Sequence, residues 1–172
     1  MWPFRRKKPF SSSSDRPDEN IRQVLSILSP EEASALGELP GEAIAGIMEG
    51  EGFSVDRFRP NQAFVEFMHH VIRVAGPADP GLQAAAQEQG DGWVYIIDLR
   101  TPEGPQGRVP LEDIIGGFEV RSGKIVIGSY YAFEEHRLLT ENGLVQLPPS
   151  LREAFVRELT RSQARRKSED IT

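Results

Sequence analysis

The sequence predicts an α+β fold with its elements segregated along the chain: N-terminal helices, an antiparallel sheet of about four strands, and a C-terminal helix. Three observations predict it. Apolar residues recur at three and four across residues 62–75, the period changes to two beyond residue 91, and a helical pattern returns after Pro148.

Taken in order, the chain opens with MWPFRRKKPFSSSSDRPDE, in which a basic cluster set among aromatics runs into serines without helical or strand period. Residues 1–19 are therefore expected to be a disordered tail. Residues 20–76 read as a helical region. Ile21, Val24, Leu25 and Leu28 share one helical face. Ser29, Pro30 and Glu32 form a fresh start, with serine as N-cap, proline in the first turn and glutamate closing a capping box. Ile44, Ile47 and Met48 suggest a short helix ended by Gly50 and Gly52.

The clearest helix follows Pro60. Phe64, Phe67, Met68, Val71 and Ile72 make its inward stripe against the sheet, and Glu66, His70 and Arg73 face water. Residues 77–91 combine Pro and Gly at both ends with an alanine-rich middle and read as a linker holding a weak helix. Residues 92–165 read as the antiparallel sheet plus the C-terminal helix. WVYIIDLR has strand composition, Pro110 precedes one helical turn, Ser122-Gly123 suits a hairpin, and Asn142-Gly143 signals another. The stretch IVIGSYYAFEEHR reads as one strand with two largely apolar faces, Tyr131 and Phe133 on one and Tyr130 on the other, either central and covered on both sides or covered on one side with Tyr130 presented at a contact surface. Ser150 and Glu153 suggest a second capping box, and residues 166–172 a short tail. No internal repeat is read from the residues.

Composition narrows function. With 38% hydrophobic and 27% charged residues, the 172-residue chain is an ordinary globular protein with enough length for a real core. It has no cysteine, which removes disulfides, thiolate metal sites and cysteine nucleophiles and fits a reducing cytoplasm. No apolar run reaches the roughly 18 residues of a membrane span. The net charge of −6 hides an asymmetry: both ends are basic, and from Asp15 to Glu158 there are 24 acidic and 12 basic side chains, a net of −12. Such a body repels phosphate backbones, so nucleic acid is not expected to bind the core.

Catalytic signatures are absent from the sequence. Glu66 and His69 have an E-x-x-H spacing, but no second such pair exists and Glu66 lies off the apolar stripe, so no metal site is expected. Neither a phosphate loop nor a dinucleotide turn is present, no cofactor is expected, and no catalytic residue is assigned. The expected function is a non-enzymatic cytoplasmic protein-binding or adaptor domain. Its partner surface is placed at Tyr130, Tyr131, Phe133, His136 and Arg137, because aromatics beside His and Arg are what binding surfaces favour. The alternative is a small hydrolase using Glu134, Glu135 or His136 as acid or base. Trp2, Phe4, Arg5, Arg6, Lys7 and Lys8 supply a weak contact to an anionic membrane, which would hold the protein peripherally at the inner surface.

Overall fold

The structure is a computed structural model that describes residues 21–171. It is α+β. Strands β1 (Arg22–Ser26), β2 (Ile44–Glu49) and β3 (Phe58–Pro60) form an antiparallel sheet with β2 central. A second antiparallel sheet joins β4 (Gly92–Ile97), β5 (Ile114–Arg121), β6 (Lys124–Ile125) and β7 (Tyr131–Ala132), with β6 and β7 both on the far side of β5 from β4. Strands β8 (Leu139–Thr140) and β9 (Gly143–Leu144) make a small ribbon. Four helices complete the fold: α1 (Pro30–Leu36), α2 (Gln62–Ala75), α3 (Pro80–Gln89) and α4 (Pro149–Glu169).

Two expected helices are strands. The 3- and 4-residue spacing of Ile21 to Leu28 is satisfied equally by a short strand, and pairing with β2 decides the matter, with Gln23 opposite Met48 and Leu25 opposite Gly46. The segment containing Ile44, Ile47 and Met48 is the centre of that sheet, and Gly46 within it suits a crowded strand better than a helix interior. The region 20–76 thus holds three strands as well as helices α1 and α2.

Other expectations meet the structure directly. The capping box of α1 is present: Ser29 Oγ accepts from the Glu32 N–H at 3.1 Å, and Glu32 accepts from the Ser29 N–H at 2.8 Å. That of α4 is not. Pro148 stands at its N-cap without a side-chain bond, and Ser150 instead donates to Asp79, which caps α3 through the Leu82 N–H. On α2, Phe64, Met68, Val71 and Ile72 are buried and Glu66, His70 and Arg73 exposed; Phe67 is half-buried, its ring edge-on to Phe155 at 5.1 Å. Residues 77–91 contain α3, whose Leu82 and Ala86 enter the common core. The turn at Ser122-Gly123 joins β5 to β6, while the ribbon turn falls on Glu141 and Asn142, one residue before the expected pair.

IVIGSYYAFEEHR is not one strand. The chain leaves the sheet after Ile125 and returns at Tyr131. Across the gap, Ser129 Oγ accepts from the Glu119 N–H at 3.0 Å and donates to the Val126 carbonyl at 2.6 Å, so a side chain replaces a ladder rung. Tyr130 and Tyr131 still point to opposite sides.

The fold also contains a structural repeat. Leu25 opposite Gly46 corresponds to Ile96 opposite Gly116, and Ser26 opposite Ile44, after an irregularity, corresponds to Ile97 opposite Ile114, again after an irregularity. The third strand follows suit, since Ile47 opposite Arg59 matches Gly117 opposite Tyr131. A one-turn 3-10 helix leads into each central strand, at Gly41–Ala43 and Leu111–Asp113. A long helix closes each half: α2 and α4 pack together through Phe64 and Phe155, with ring centroids 5.4 Å apart. Pro40, Glu42, Ile44, Gly46 and Glu49 recur seventy positions on as Pro110, Glu112, Ile114, Gly116 and Glu119. So sparse an identity, with differing connections, is why sequence reading passes over it.

Candidate functional surface

The two halves place different residues at equivalent points, and the second half carries the unusual ones. On the outer face of its sheet, alternation in β4 turns Trp93 and Tyr95 outward and Val94 and Ile96 into the core. Tyr131 lies on the same rung as Tyr95, with Gly117 between them. A Cβ on Gly117 would stand 3.1 Å from the Tyr95 ring, so glycine leaves room for that ring over the central strand. Trp93, Tyr95 and Tyr131 are 41%, 50% and 54% exposed. Ile127, at the tip of the gap before β7, is more exposed still. Glu119, opposite Trp93, is the carboxylate of this face and pairs with Arg121 at 2.8 Å. Large aromatics held open on a sheet are uncommon where they serve packing alone.

Behind one end of this sheet lies a buried polar knot. Asp98 follows β4, Arg100 sits two residues on, and Asp113 ends the 3-10 turn before β5. All three side chains are buried. Arg100 Nε donates to Asp113 Oδ1 at 3.1 Å and lies 3.3 Å from Asp98 Oδ2. Its two terminal nitrogens donate to the carbonyls of Leu138 at 2.8 Å, Gly143 at 3.0 Å, Glu112 at 3.2 Å, and Arg137. A guanidinium has five N–H donors, and all five are used. Arg100 thus has no donor left for an anionic ligand; it ties residues 137–143 to the sheet. Asp98 completes the tie by accepting from the Gln146 N–H at 2.9 Å and sitting 3.1 Å from His136 Nε2.

This arrangement distributes the residues expected at a partner surface. Tyr131 is on the open face. Tyr130 turns inward under α2, its hydroxyl 2.6 Å from His69 Nδ1 and its ring beneath the Arg73 guanidinium at 5.5 Å. Phe133 is half-buried, and His136 is turned onto Asp98 with little exposed surface. Arg137 is exposed, its Nε 4.0 Å from Glu112. Together with Pro110, Leu111, Glu134 and Glu135, these last two line an open cleft of about 650 Å³. Glu134 and Glu135 face that cleft, whereas the His136 imidazole points away from them to Asp98. Trp2, Phe4, Arg5, Arg6, Lys7 and Lys8 lie outside the described residues.

Electrostatics follow from the same geometry. Burial, with His136 and Arg73 nearby, holds the His69 imidazole down to about 4, and burial pushes the Tyr130 hydroxyl up. The pair is therefore a neutral phenol hydrogen-bonded to a neutral imidazole. Between the halves, Arg152 of α4 makes a two-pronged contact to Glu32 of α1 at 2.6 and 2.8 Å and donates to the Ile27 carbonyl at 2.9 Å. Hydrogen bonds from Arg152 and from the Ser29 backbone bring the Glu32 carboxyl down to about 2.

Trp93 and Tyr95 escaped the sequence reading, although their alternation with Val94 and Ile96 was there to be seen. Arg100 left a fainter signal, as a charge following an apolar strand. Among the described residues no group of three His, Asp or Glu is arranged to hold a metal ion, and no helix is long and apolar enough to cross a membrane. No protein-family model, no curated protein and no solved structure matches this chain.

Proposed function

We propose that the protein is a non-enzymatic binding or adaptor domain that captures a protein partner on the outer face of its second sheet. The observation that carries this reading is the exposure of Trp93, Tyr95 and Tyr131 on a rigid antiparallel sheet. Rigid aromatics bury much area on binding and lose little side-chain entropy, which makes them frequent energetic anchors of interfaces. A protein partner fits better than nucleic acid because the body of the chain is acidic, with Glu119 at the edge of the aromatics. The saturation of Arg100 supports a non-catalytic reading of the polar cluster behind the sheet. Arg137 lines the cleft beside Leu111.

The basic aromatic segment, residues 1–10, would set location in the cytoplasm by touching anionic lipid. Capture from a cytoplasmic extract tests the binding reading. Wild-type protein should retain a defined set of proteins, and the combined Trp93→Ser, Tyr95→Ser and Tyr131→Ser variant should lose it. Equal retention by both would overturn the reading.

A further inference from the structure

The open edge of β4 points to a specific use. In the second sheet, Glu119 accepts from the Val126 N–H at 2.9 Å and Ile115 from the Phe133 N–H at 3.0 Å. The backbone groups of Ile115, Gly117 and Glu119 therefore face β6 and β7, and those of Gly116, Phe118 and Val120 face β4. Their partners on β4 are Ile96, Val94 and Gly92. Trp93, Tyr95 and Ile97 are left with N–H and C=O groups directed away from the sheet, and among the described residues β4 pairs with no other strand. Natural edge strands are usually blunted by charge, proline or a bulge that turns the edge away. GWVYII contains no charged residue and no proline; its pairing with β5 is irregular between Ile96 and Ile97, after which the Asp98 N–H returns to the Asp113 carbonyl at 2.8 Å, so that Ile97 still faces outward. The equivalent edge of the first sheet, β1, carries Arg22.

We infer that this edge joins a second copy of the chain, β4 against β4 in antiparallel register about a twofold axis at Tyr95. The edge is self-complementary in that register. Tyr95 faces its own symmetry mate, and Trp93 faces Ile97 of the second copy. All three residues present their free backbone groups, so the strands close six hydrogen bonds without a charge at the seam. A partner from the acidic body of another protomer would ordinarily be repelled; along this strand there is no charge to repel it. The two sheets become one, and Trp93, Tyr95 and Tyr131 of both copies lie on one continuous outer face. A foreign strand could use the same groups, but nothing else in the molecule makes it preferable, whereas the symmetric register uses every free group on both sides.

The inference stands apart from partner capture: a monomer that still captures its partner sinks only the dimer, and a dimer that captures nothing sinks only the capture reading. Sedimentation equilibrium of the full chain over a wide concentration range should show a monomer–dimer equilibrium. Amide exchange by NMR should show the Trp93, Tyr95 and Ile97 N–H groups slowing by roughly tenfold or more as dimer populates, while those of Val94 and Ile96, bonded within the protomer, change little. Tyr95→Lys, which sets two ammonium groups opposite each other at the axis, should shift the protein to monomer, and Val24→Lys on the other sheet should not. A wild-type protein that stays monomeric at every concentration overturns the inference. So does a dimer in which those three amides gain no protection.

Discussion

The outer faces of the two sheets occupy the same place in the repeat and have opposite character. In the first half the face reads Arg22, Val24, Ile47, Glu49 and Arg59, with Glu49 and Arg59 paired at 3.4 Å. In the second, the equivalent positions hold Trp93, Tyr95, Gly117, Glu119 and Tyr131. One carboxylate is retained, and the residues around it change from charged and aliphatic to aromatic, with a glycine beneath. Since both sheets share strand order and register, the backbone does not demand this difference. The difference lies in the side chains alone.

The interiors diverge in a connected way. Ile27 and Ala43 of the first half stand where Asp98 and Asp113 stand in the second, and Ser29, the cap of α1, stands where Arg100 does. In the first half β3 runs almost directly into α2. In the second, residues 133–148 intervene between β7 and α4, including the β8–β9 ribbon. A segment with so little regular pairing of its own needs an anchor, and Arg100 holds four of its bonds to carbonyls, three of them within residues 137–143. The polar knot is thus the counterpart of an inserted segment, and a hydrophobic position has become ionic to hold it.

The sharpest way to break this contrast is to cut the knot. Arg100→Met leaves Asp98 and Asp113 buried without their cation and should cost about 3–5 kcal/mol in denaturant unfolding. Arg100→Lys should recover little, because one ammonium cannot reproduce the fork that spans an aspartate and four carbonyls. Its counterpart Ser29→Ala removes only an N-cap and should cost about 1 kcal/mol. Equal losses at the two positions would end the idea that the second half depends on a buried ionic anchor.

A second test asks whether the halves are equivalent where they look alike. A Cβ on Gly46 would come within 2.5 Å of the Phe58 ring and 2.4 Å of the Arg59 carbonyl oxygen. On Gly116 it would meet the Tyr130 ring at 2.7 Å and the Tyr131 carbonyl oxygen at 2.7 Å. Phe58 and Tyr130 are themselves equivalent, each an aromatic laid across the central strand. Gly46→Ala and Gly116→Ala should therefore destabilise alike, by about 1–3 kcal/mol each. A clear loss at one and none at the other would show that the repeat is only topological.

Where Phe58 has only a ring, Tyr130 meets His69 of α2, whose burial, with His136 and Arg73 nearby, gives the fold a pH dependence. Because the folded His69 sits at about 4 against an ordinary 6.5, the fold favours the neutral ring. That contribution is complete above about 6.5 and is lost as the pH falls towards about 4. Allowing for the partial exposure of the ring, thermal or denaturant unfolding should lose on the order of 1–2 kcal/mol across this window. His69→Gln should flatten the profile there. An unchanged slope would place the acid sensitivity elsewhere. Glu32 acts below it, since its depressed carboxyl supports folding above about 4.5 and that support fades as the pH nears about 2.

How much of this could be read in the residues depends on the length of each pattern. The α2 stripe spans several turns, so its buried and exposed sides were legible, and the Ser29 capping box is a local device with a local signature. Residues 22–26 and 44–49 were misread because five or six residues sample either period too briefly, and strand pairing decided between them. The gap before β7 was hidden because Ser129 mimics a backbone rung, which no periodicity records. Alternation put Tyr130 and Tyr131 on opposite faces, but which of them faces outward was decided only by α2 packing over Tyr130. Trp93 and Tyr95, the neighbours of Tyr131, reach it only across strands, from more than thirty positions away in the chain. The role of His136 likewise depended on Asp98, thirty-eight residues before it.

The smallest expected effect on stability is the one most telling about the two faces. Exposed residues far from a cap, a buried polar group or the core usually change stability by no more than about 0.5 kcal/mol when substituted. Trp93, Tyr95 and Tyr131 are half-exposed on a sheet whose other side supplies the core, so each change to serine should cost only about 0.5–1 kcal/mol, part of it lost strand preference. Val24→Ser, at the position equivalent to Tyr95 and 54% exposed, supplies the reference within the same molecule. If the aromatics exist for a partner, the second face should be no more costly to strip than the first, while capture is lost from the second alone. A loss above about 2 kcal/mol at Tyr95, well beyond the Val24 reference, would mean that its ring over Gly117 is part of the packing. The aromatic face would then be a structural cover for the glycine strand, and the search for a binding surface would move to the cleft beside Leu111 and Arg137.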